Sequence, residues 1–340
     1  MTSSAVRAEA MTNSEANGHA SARNIALQCP RCHRPLGTIG YNAQSVYVPE
    51  IQCPDCSFQL QQDQGIWKAL PAERQQYFER FLTEYQIVRA CEGRGSENVD
   101  FYLALPYRDL TGRNTRQWAI RARTFRYIAR SILPDIQRRR KQHLQLLDLG
   151  AGNGWMSYRL ALRGHFPVAV DLSVNNRDGL GAATHFLADL PSLFPRFQAE
   201  LDHLPFGDDQ FDAVIFNASL HYSENYARTL TEATRCVRRG GMIVIADTAT
   251  YRTEDSGQQM LQERRATFLR QYGFPSDGLR SLEYLTPERL QALAQALGLA
   301  WEIHRPNYGL RWGLRPWMAK LANRREPSQF CVYTALVNEK

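Results

Sequence analysis

Between residues 143 and 249 the apolar positions gather in short blocks separated by amphipathic stretches. Blocks at 144–149, 167–171, 197–201, 211–217 and 242–247 have the length and composition of buried strands. Residues 155–162, stopped by Gly164, and 224–238, stopped by Gly240 and Gly241, repeat at helical spacing. Strand and helix therefore alternate, which predicts a parallel sheet covered by helices on both faces.

The pattern is different upstream. Residues 25–68 hold short β-type runs, among them Ser45, Val46, Tyr47 and Val48, between cysteines, glycines and prolines. Pro71 opens a helix whose Tyr77, Phe78, Phe81, Leu82, Tyr85 and Val88 share one side, and Gly93 and Gly95 close it. Residues 100–112 read as a loop. A second helix carries Trp118, Phe125, Ile128 and Ile132, with Pro134 behind it. Downstream, 250–285 breaks the alternation with a charged helix and a loop. A further helix starts at Thr286 and Pro287 and ends near Gly298, and 301–304 and 330–337 complete the strands. The expected division is a disordered tail over 1–24, a cysteine-bearing module over 25–68, a helical linker or lid over 69–142 and an α/β domain over 143–340. Within that domain 250–285 and 305–325 are substrate-side insertions.

A chain of 340 residues with 44% hydrophobic content can bury a sizeable core. It contains no apolar run near the ~18–20 residues that span a bilayer. The first 24 residues lack the apolar stretch of an export signal. The net charge of +7 is modest for this length and does not by itself imply a nucleic-acid partner.

Four of the seven cysteines form two tight pairs, Cys29-Pro-Arg-Cys32 and Cys53-Pro-Asp-Cys56, with 20 residues between them. Paired cysteines without an export signal point to metal and to a cytoplasmic protein. Two such knuckles can close a tetrahedral four-thiolate site for structural Zn2+. A module of this size has little core without one. Cys91, Cys236 and Cys331 read as ordinary core residues.

The chemistry concentrates in Asp148-Leu-Gly150-Ala151-Gly152-Asn153-Gly154-Trp155, where a buried strand runs through glycines into a helix. Glycines let the backbone turn tightly and approach a ligand, and the helix start offers free N–H groups. A dinucleotide loop has a glycine where this chain has Trp155. Asp171 ends the next strand, where a carboxylate can accept from both hydroxyls of a ribose.

This stretch resembles motif I of class I S-adenosylmethionine-dependent methyltransferases. The runs Ala199-Glu200-Leu201-Asp202-His203-Leu204-Pro205-Phe206 and Phe211-Asp212-Ala213-Val214-Ile215-Phe216 are similar to later motifs of their small-molecule branch, the methyltransferase type 11 group. The resemblance implies a Rossmann-like sheet of seven strands in the order 3-2-1-4-5-7-6, in front of which the cysteine pairs and the helical pattern put a zinc ribbon and a helical linker. It implies S-adenosylmethionine as cofactor. Asp148 and the loop Gly150, Ala151, Gly152, Asn153 and Gly154 would hold its methionine end. Asp171, with Leu172 after it, would hold the ribose. Glu200 and the backbone of Leu201 would hold the adenine. Asn217 to His221 would face the reactive methyl.

Methyl transfer from a sulfonium is an in-line displacement that needs alignment and exclusion of water, and for some acceptors a base. His221, Tyr222 and Asn217 are the catalytic candidates, and Asp247 is a weaker one. Asn217-Ala-Ser-Leu220 departs from the Asn/Asp-Pro-Pro-Tyr motif of many amino-group methyltransferases. The expected acceptor is a small-molecule or lipid-linked metabolite. A zinc ribbon in front also resembles rRNA guanine-N1 methyltransferases, which keeps an RNA acceptor as an alternative. A cofactor-binding docking protein without turnover is another. Tyr102, Tyr107 and Trp118 are positions that could fold over the site. Residues 305–325 mix Arg and Lys with Tyr308, Trp312, Trp317, Met318 and Leu321 and contain no acid. They are expected to form a hairpin packed on its own domain, with peripheral membrane contact as the alternative.

Overall fold

The computed structural model describes residues 23–41 and 50–337. The run Ser45–Val48 and almost all of the 1–24 tail lie outside the described residues.

In chain order the elements are β1 (Asn24–Gln28), β2 (Pro35–Gly40), β3 (Ile51–Gln52), β4 (Gln59–Asp63), β5 (Ile66–Lys68), α1 (Ala72–Cys91), α2 (Val99–Ala104), α3 (Thr115–Tyr127) and α4 (Leu133–Arg140). The α/β part follows with β6 (Gln145–Leu149), α5 (Trp155–Ala161), β7 (Phe166–Asp171), β8 (Arg196–Gln198), β9 (Phe211–Asn217), α6 (Tyr226–Cys236) and β10 (Val237–Ala246). Then come α7 (Glu254–Tyr272), α8 (Pro287–Leu297), β11 (Trp301–His304), α9 (Leu310–Gly313), α10 (Arg315–Leu321) and β12 (Val332–Leu336).

The main sheet runs β11-β12-β10-β9-β6-β7-β8-β5-β4-β3. From β8 to β11 this is the expected order 3-2-1-4-5-7-6, with β12 antiparallel to both of its neighbours. Every residue of β6 and β9 is buried, as central parallel strands covered on both faces require. Period-2 alternation divides them between two cores. Leu147, Leu149, Val214 and Phe216 join one, and Leu146, Ala213 and Ile215 join the other with Phe125, Ile128 and Ile136.

The cysteine module extends this sheet. β5 pairs in parallel with β8, Trp67 opposite Phe197, and their rings stack at 6.1 Å. Ile25, Leu27, Phe58 and Leu60 share one core with Phe197, Phe206 and Phe211. The β1–β2 hairpin is held by Gln28 N–H donating to Pro205 O at 3.0 Å and Ala26 N–H donating to Gln210 Oε1 at 2.7 Å.

Three local expectations are corrected. Residues 100–112 contain α2, started by Asn98, whose side chain accepts from Asp100 N–H at 2.8 Å. Pro134 does not end the second helix: a π-helical turn at Ile128–Ile132 intervenes, and Pro134 sits in the first turn of α4, where no N–H is needed. Residues 305–325 form α9 and α10, not a hairpin. The helical spacing of Leu310, Leu314, Trp317, Met318 and Leu321 carried that outcome. Their apolar face is turned outward, with Leu310 89%, Trp317 71% and Leu321 87% exposed.

Candidate functional site

The bend after β6 is built by backbone geometry that side chains disfavour. Gly150 has φ +72°, and a Cβ there would lie 2.3 Å from Ser219 Cβ. Gly154 has φ +78° and starts α5 with Phe194 3.0 Å from where its Cβ would be. Asn153 Oδ1 accepts from Trp155 N–H at 3.2 Å and so takes up a free donor of the first turn. Trp155 does not fill the bend. It turns into the core edge-on to Trp118 and Phe125, at 6.0 and 5.7 Å between ring centres.

The bend opens on a cleft at the carboxyl ends of β6, β7 and β9. Asp148, Gly150, Ala151, Gly152, Asn153, Asp171, Leu172, Leu201, Asn217, His221 and Tyr222 all line it. The structure thus brings together most of the positions singled out in the sequence. Gly154 is not in the lining and serves the turn.

Two carboxylates face this cavity from neighbouring strands. Asp171 accepts from Gly152 N–H at 2.8 Å and Ser173 N–H at 2.7 Å, one on each oxygen. A carboxylate has about four lone-pair sites, so acceptor capacity remains. Burial pushes its pKa up to about 6, against the opposing effect of those two N–H groups. Asp148 accepts from Ser157 Oγ at 2.8 Å. Burial pushes it up to about 7, and the Asp171 charge adds to the effect.

Glu200 is placed differently. It does not line the cavity. Arg74 of α1 grips it with Nε at 3.0 Å from Oε1 and Nη2 at 2.8 Å from Oε2. His203 Nδ1 lies 3.1 Å from Oε1. Burial raises its pKa, but hydrogen bonds from His203 and Arg74 outweigh burial and leave it below the usual glutamate range.

The far wall holds two polar atoms with no partner among the described residues, Asn217 Oδ1 and His221 Nδ1; Asp247 Oδ2 and Thr248 Oγ1, just past β10 and outside the lining, are buried without partners too. Burial, then the charges of Arg264 and Arg121, push His221 down to about 3, so its imidazole is neutral at pH 7. Asp247 is shifted upward by burial, and its other oxygen accepts from Thr124 Oγ1 at 2.6 Å. Ala218 and Asp247, just past β9 and β10, have φ of 56° and 51°. Left-handed backbone at non-glycine residues is strained and recurs at functional sites.

Sequence reasoning missed the contribution of α1. Phe81, Leu82, Tyr85 and Arg89 line the cavity, joined by Asp178 and by Trp118 and Arg121 of α3. The helical spacing of the α1 residues was visible, and 69–142 was expected to be a linker or lid, but no α1 residue was singled out for the site. Tyr222 packs on Phe81 and Tyr85 with ring centres 5.8 Å apart in each case. Tyr102 and Tyr107 stand outside the cavity. Tyr102 is buried, donating to Arg177 O at 2.6 Å, and Tyr107 lies under Arg126 and Arg159.

The four paired cysteines converge although 20 residues separate the pairs. Their sulfurs lie within 4.8 Å of one another, at 3.5 Å for Cys29–Cys56 and 3.4 Å for Cys32–Cys53. A tetrahedron of Zn–S bonds near 2.3 Å places its sulfurs roughly 3.8 Å apart, so the set fits zinc. Both knuckles use one turn. Cys29 N–H donates to Arg34 O and His33 N–H to Cys29 O; Cys53 N–H donates to Phe58 O and Ser57 N–H to Cys53 O. His33 and Ser57 have matching φ of 63° and 58°.

A family model described as "Methyltransferase domain" matches residues 147–245. This match and the relatives it sits among support a class I S-adenosylmethionine-dependent methyltransferase domain. The match covers β6 to β10 and so contains the bend, both carboxylates and the wall at Asn217. Among curated relatives, demethylmenaquinone methyltransferase of Mycobacterium tuberculosis is 29% identical over 169 residues, 49% of this chain and 68% of that protein. Malonyl-[acyl-carrier protein] O-methyltransferase of Buchnera aphidicola is 27% identical over 129 residues, 34% of this chain and 48% of that protein. A solved S-adenosylmethionine-dependent methyltransferase of Thermotoga maritima aligns with a TM-score of 0.44 at 14% identity, covering 77% of this chain and 99% of the other. Phosphoethanolamine N-methyltransferase 2 of Haemonchus contortus, solved with S-adenosyl-L-methionine, aligns with a TM-score of 0.41 at 16% identity, covering 61% of this chain and 52% of the other.

Proposed function

We propose that the domain transfers a methyl group from S-adenosylmethionine to a small-molecule or lipid-linked acceptor. The observation that carries this reading is one open cavity shared by the glycine bend, Asp148, Asp171 and a polar wall from Asn217 to His221. When bound, the cofactor supplies a methyl on a sulfonium, an electrophile that needs no protein nucleophile. Asp171 accepts from the ribose hydroxyls. The bend at Gly150 and Gly152 and the buried Asp148 receive the amino-acid end. Leu201, in the cavity wall, meets the adenine. Glu200 shapes that end from behind by fixing Arg74 and hence α1.

Asn217 and Tyr222 orient the acceptor. His221, neutral and with a free Nδ1, accepts a hydrogen bond from it. With a pKa of about 3 it is a weak base, so this reading favours an acceptor whose nucleophile ionises easily.

The cysteine cluster binds one structural Zn2+. All four ligand positions are thiolates, so no position is left open for chemistry. Its role is to hold β3 to β5 as the outer edge of the sheet that positions Asp171.

A lipid-linked acceptor is favoured by the exposed face of α9 and α10. Leu310, Leu314, Trp317, Met318 and Leu321 project outward beside Arg311, Arg315 and Lys320, which suits an anionic membrane surface.

The test is a labelled-methyl assay on a cell extract separated into RNA, protein, lipid and small-molecule fractions. Label in the lipid or small-molecule fraction is the expected result. Label in RNA alone would overturn the acceptor class.

A further inference from the structure

A second chamber adjoins the cofactor cavity. It lies between α1, α3, α7 and residues 276–283. Phe81, Tyr85, Arg89, Arg121 and Tyr222 line both spaces and so form their shared wall. Phe268 adds another ring to the second chamber.

Four arginines line this chamber: Arg89, Arg94, Arg121 and Arg264. Three have a carboxylate. Arg89 pairs with Asp178, Arg94 with Glu92 at 2.9 Å, and Arg264 with Glu283. Arg121 is neither hydrogen-bonded nor ion-paired among the described residues. Its guanidinium lies over the Trp118 ring at 5.0 Å from the centroid. Asp247 is the acid whose field reaches it, but that carboxyl is itself pushed toward its neutral form by burial. Burial lowers Arg121 to about 10, which leaves it charged at pH 7. Arg94 Nη1 and Arg264 Nε are further buried donors without partners. A partly buried cation left uncompensated is costly, and it is retained where a ligand completes it. The surrounding rings suit a flat apolar body.

We infer that the acceptor carries an anionic group, a carboxylate or a phosphate, on an aromatic or similarly flat body, and that Arg121 binds this anion where the two chambers join. The inference rests on the first chamber being the cofactor site.

The experiment uses the full chain loaded with S-adenosylhomocysteine, titrated with benzoate, phenyl phosphate and the neutral benzamide. The wild type binds at least one anion more tightly than benzamide, and Arg121→Met reduces that affinity about tenfold or more, the scale of a lost charge-assisted hydrogen bond. Arg121→Lys, which keeps the charge without the planar fork, falls between. Which anion binds better separates carboxylate from phosphate. Benzamide binding as tightly as both anions, an unchanged preference in Arg121→Met, or no binding of any probe to the loaded protein would overturn the inference. Failure of S-adenosylhomocysteine itself to bind would instead remove the cofactor reading beneath it.

Discussion

Arg74 and Glu200 are joined by a two-pronged ion pair, with Nη2 2.8 Å from Oε2 and Nε 3.0 Å from Oε1. The pair ties α1, which follows the cysteine module, to the loop after β8. The same helix presents Leu82, Tyr85 and Arg89 to the cofactor cavity. Arg74→Ala leaves a buried carboxylate without its main partner. The expected cost is about 1–3 kcal/mol of stability, together with weaker S-adenosylhomocysteine binding, measured by denaturant unfolding and calorimetry. Unchanged stability and affinity would show that the pair holds nothing in place.

The cysteine cluster predicts about one zinc per chain by elemental analysis. Cys53→Ser should lose the metal and lower the melting temperature by more than about 5 °C, because β5 is hydrogen-bonded directly to β8. A zinc-free protein with an unchanged melting temperature would contradict the structural role.

Cofactor affinity should depend on pH through Asp171. Ribose hydroxyls donate to the ionised carboxylate, so binding favours loss of the proton. Affinity for S-adenosylhomocysteine therefore rises as pH increases through about 6, the value in the ligand-free site, and levels off above Asp148 at about 7. Asp171→Asn should bind weakly and flatten the lower part of the profile. Calorimetry between pH 5 and 8.5 makes the comparison; affinity that falls with rising pH would refute the sign.

The outward face of α9 and α10 predicts co-sedimentation with vesicles containing anionic phospholipid. Trp317→Ser combined with Leu321→Ser removes two side chains that are 71% and 87% exposed, so the fold loses little. Binding should drop at least about tenfold. Equal binding by the double variant would rule out this face.

The α/β core was legible because its strands are apolar blocks and its helices stop at glycines, and the bend at Gly150 needs backbone that few other residues adopt. The positions of Asp148, Asp171 and Asn217 followed from strand ends, since each is the residue at or next to a carboxyl terminus in the central sheet. The cysteine module's fusion to the sheet was not legible. A three-residue strand at Ile66–Lys68 carries no periodicity of its own, and its partner at Arg196 to Gln198 lies far along the chain. Glu200 shows the same limit: spacing placed it in the right loop, but only the tertiary structure brings Arg74 to it, 126 residues away. Arg121 was visible as a helix residue, whereas its lack of a partner is a property of the packed chambers.

The most direct test is calorimetric titration of the full chain and of Asp171→Ala with S-adenosylhomocysteine. The account predicts saturable binding by the wild type and a loss of about 2 kcal/mol or more, roughly thirtyfold, in the variant. No binding by the folded wild-type protein, or equal binding by both, would contradict it.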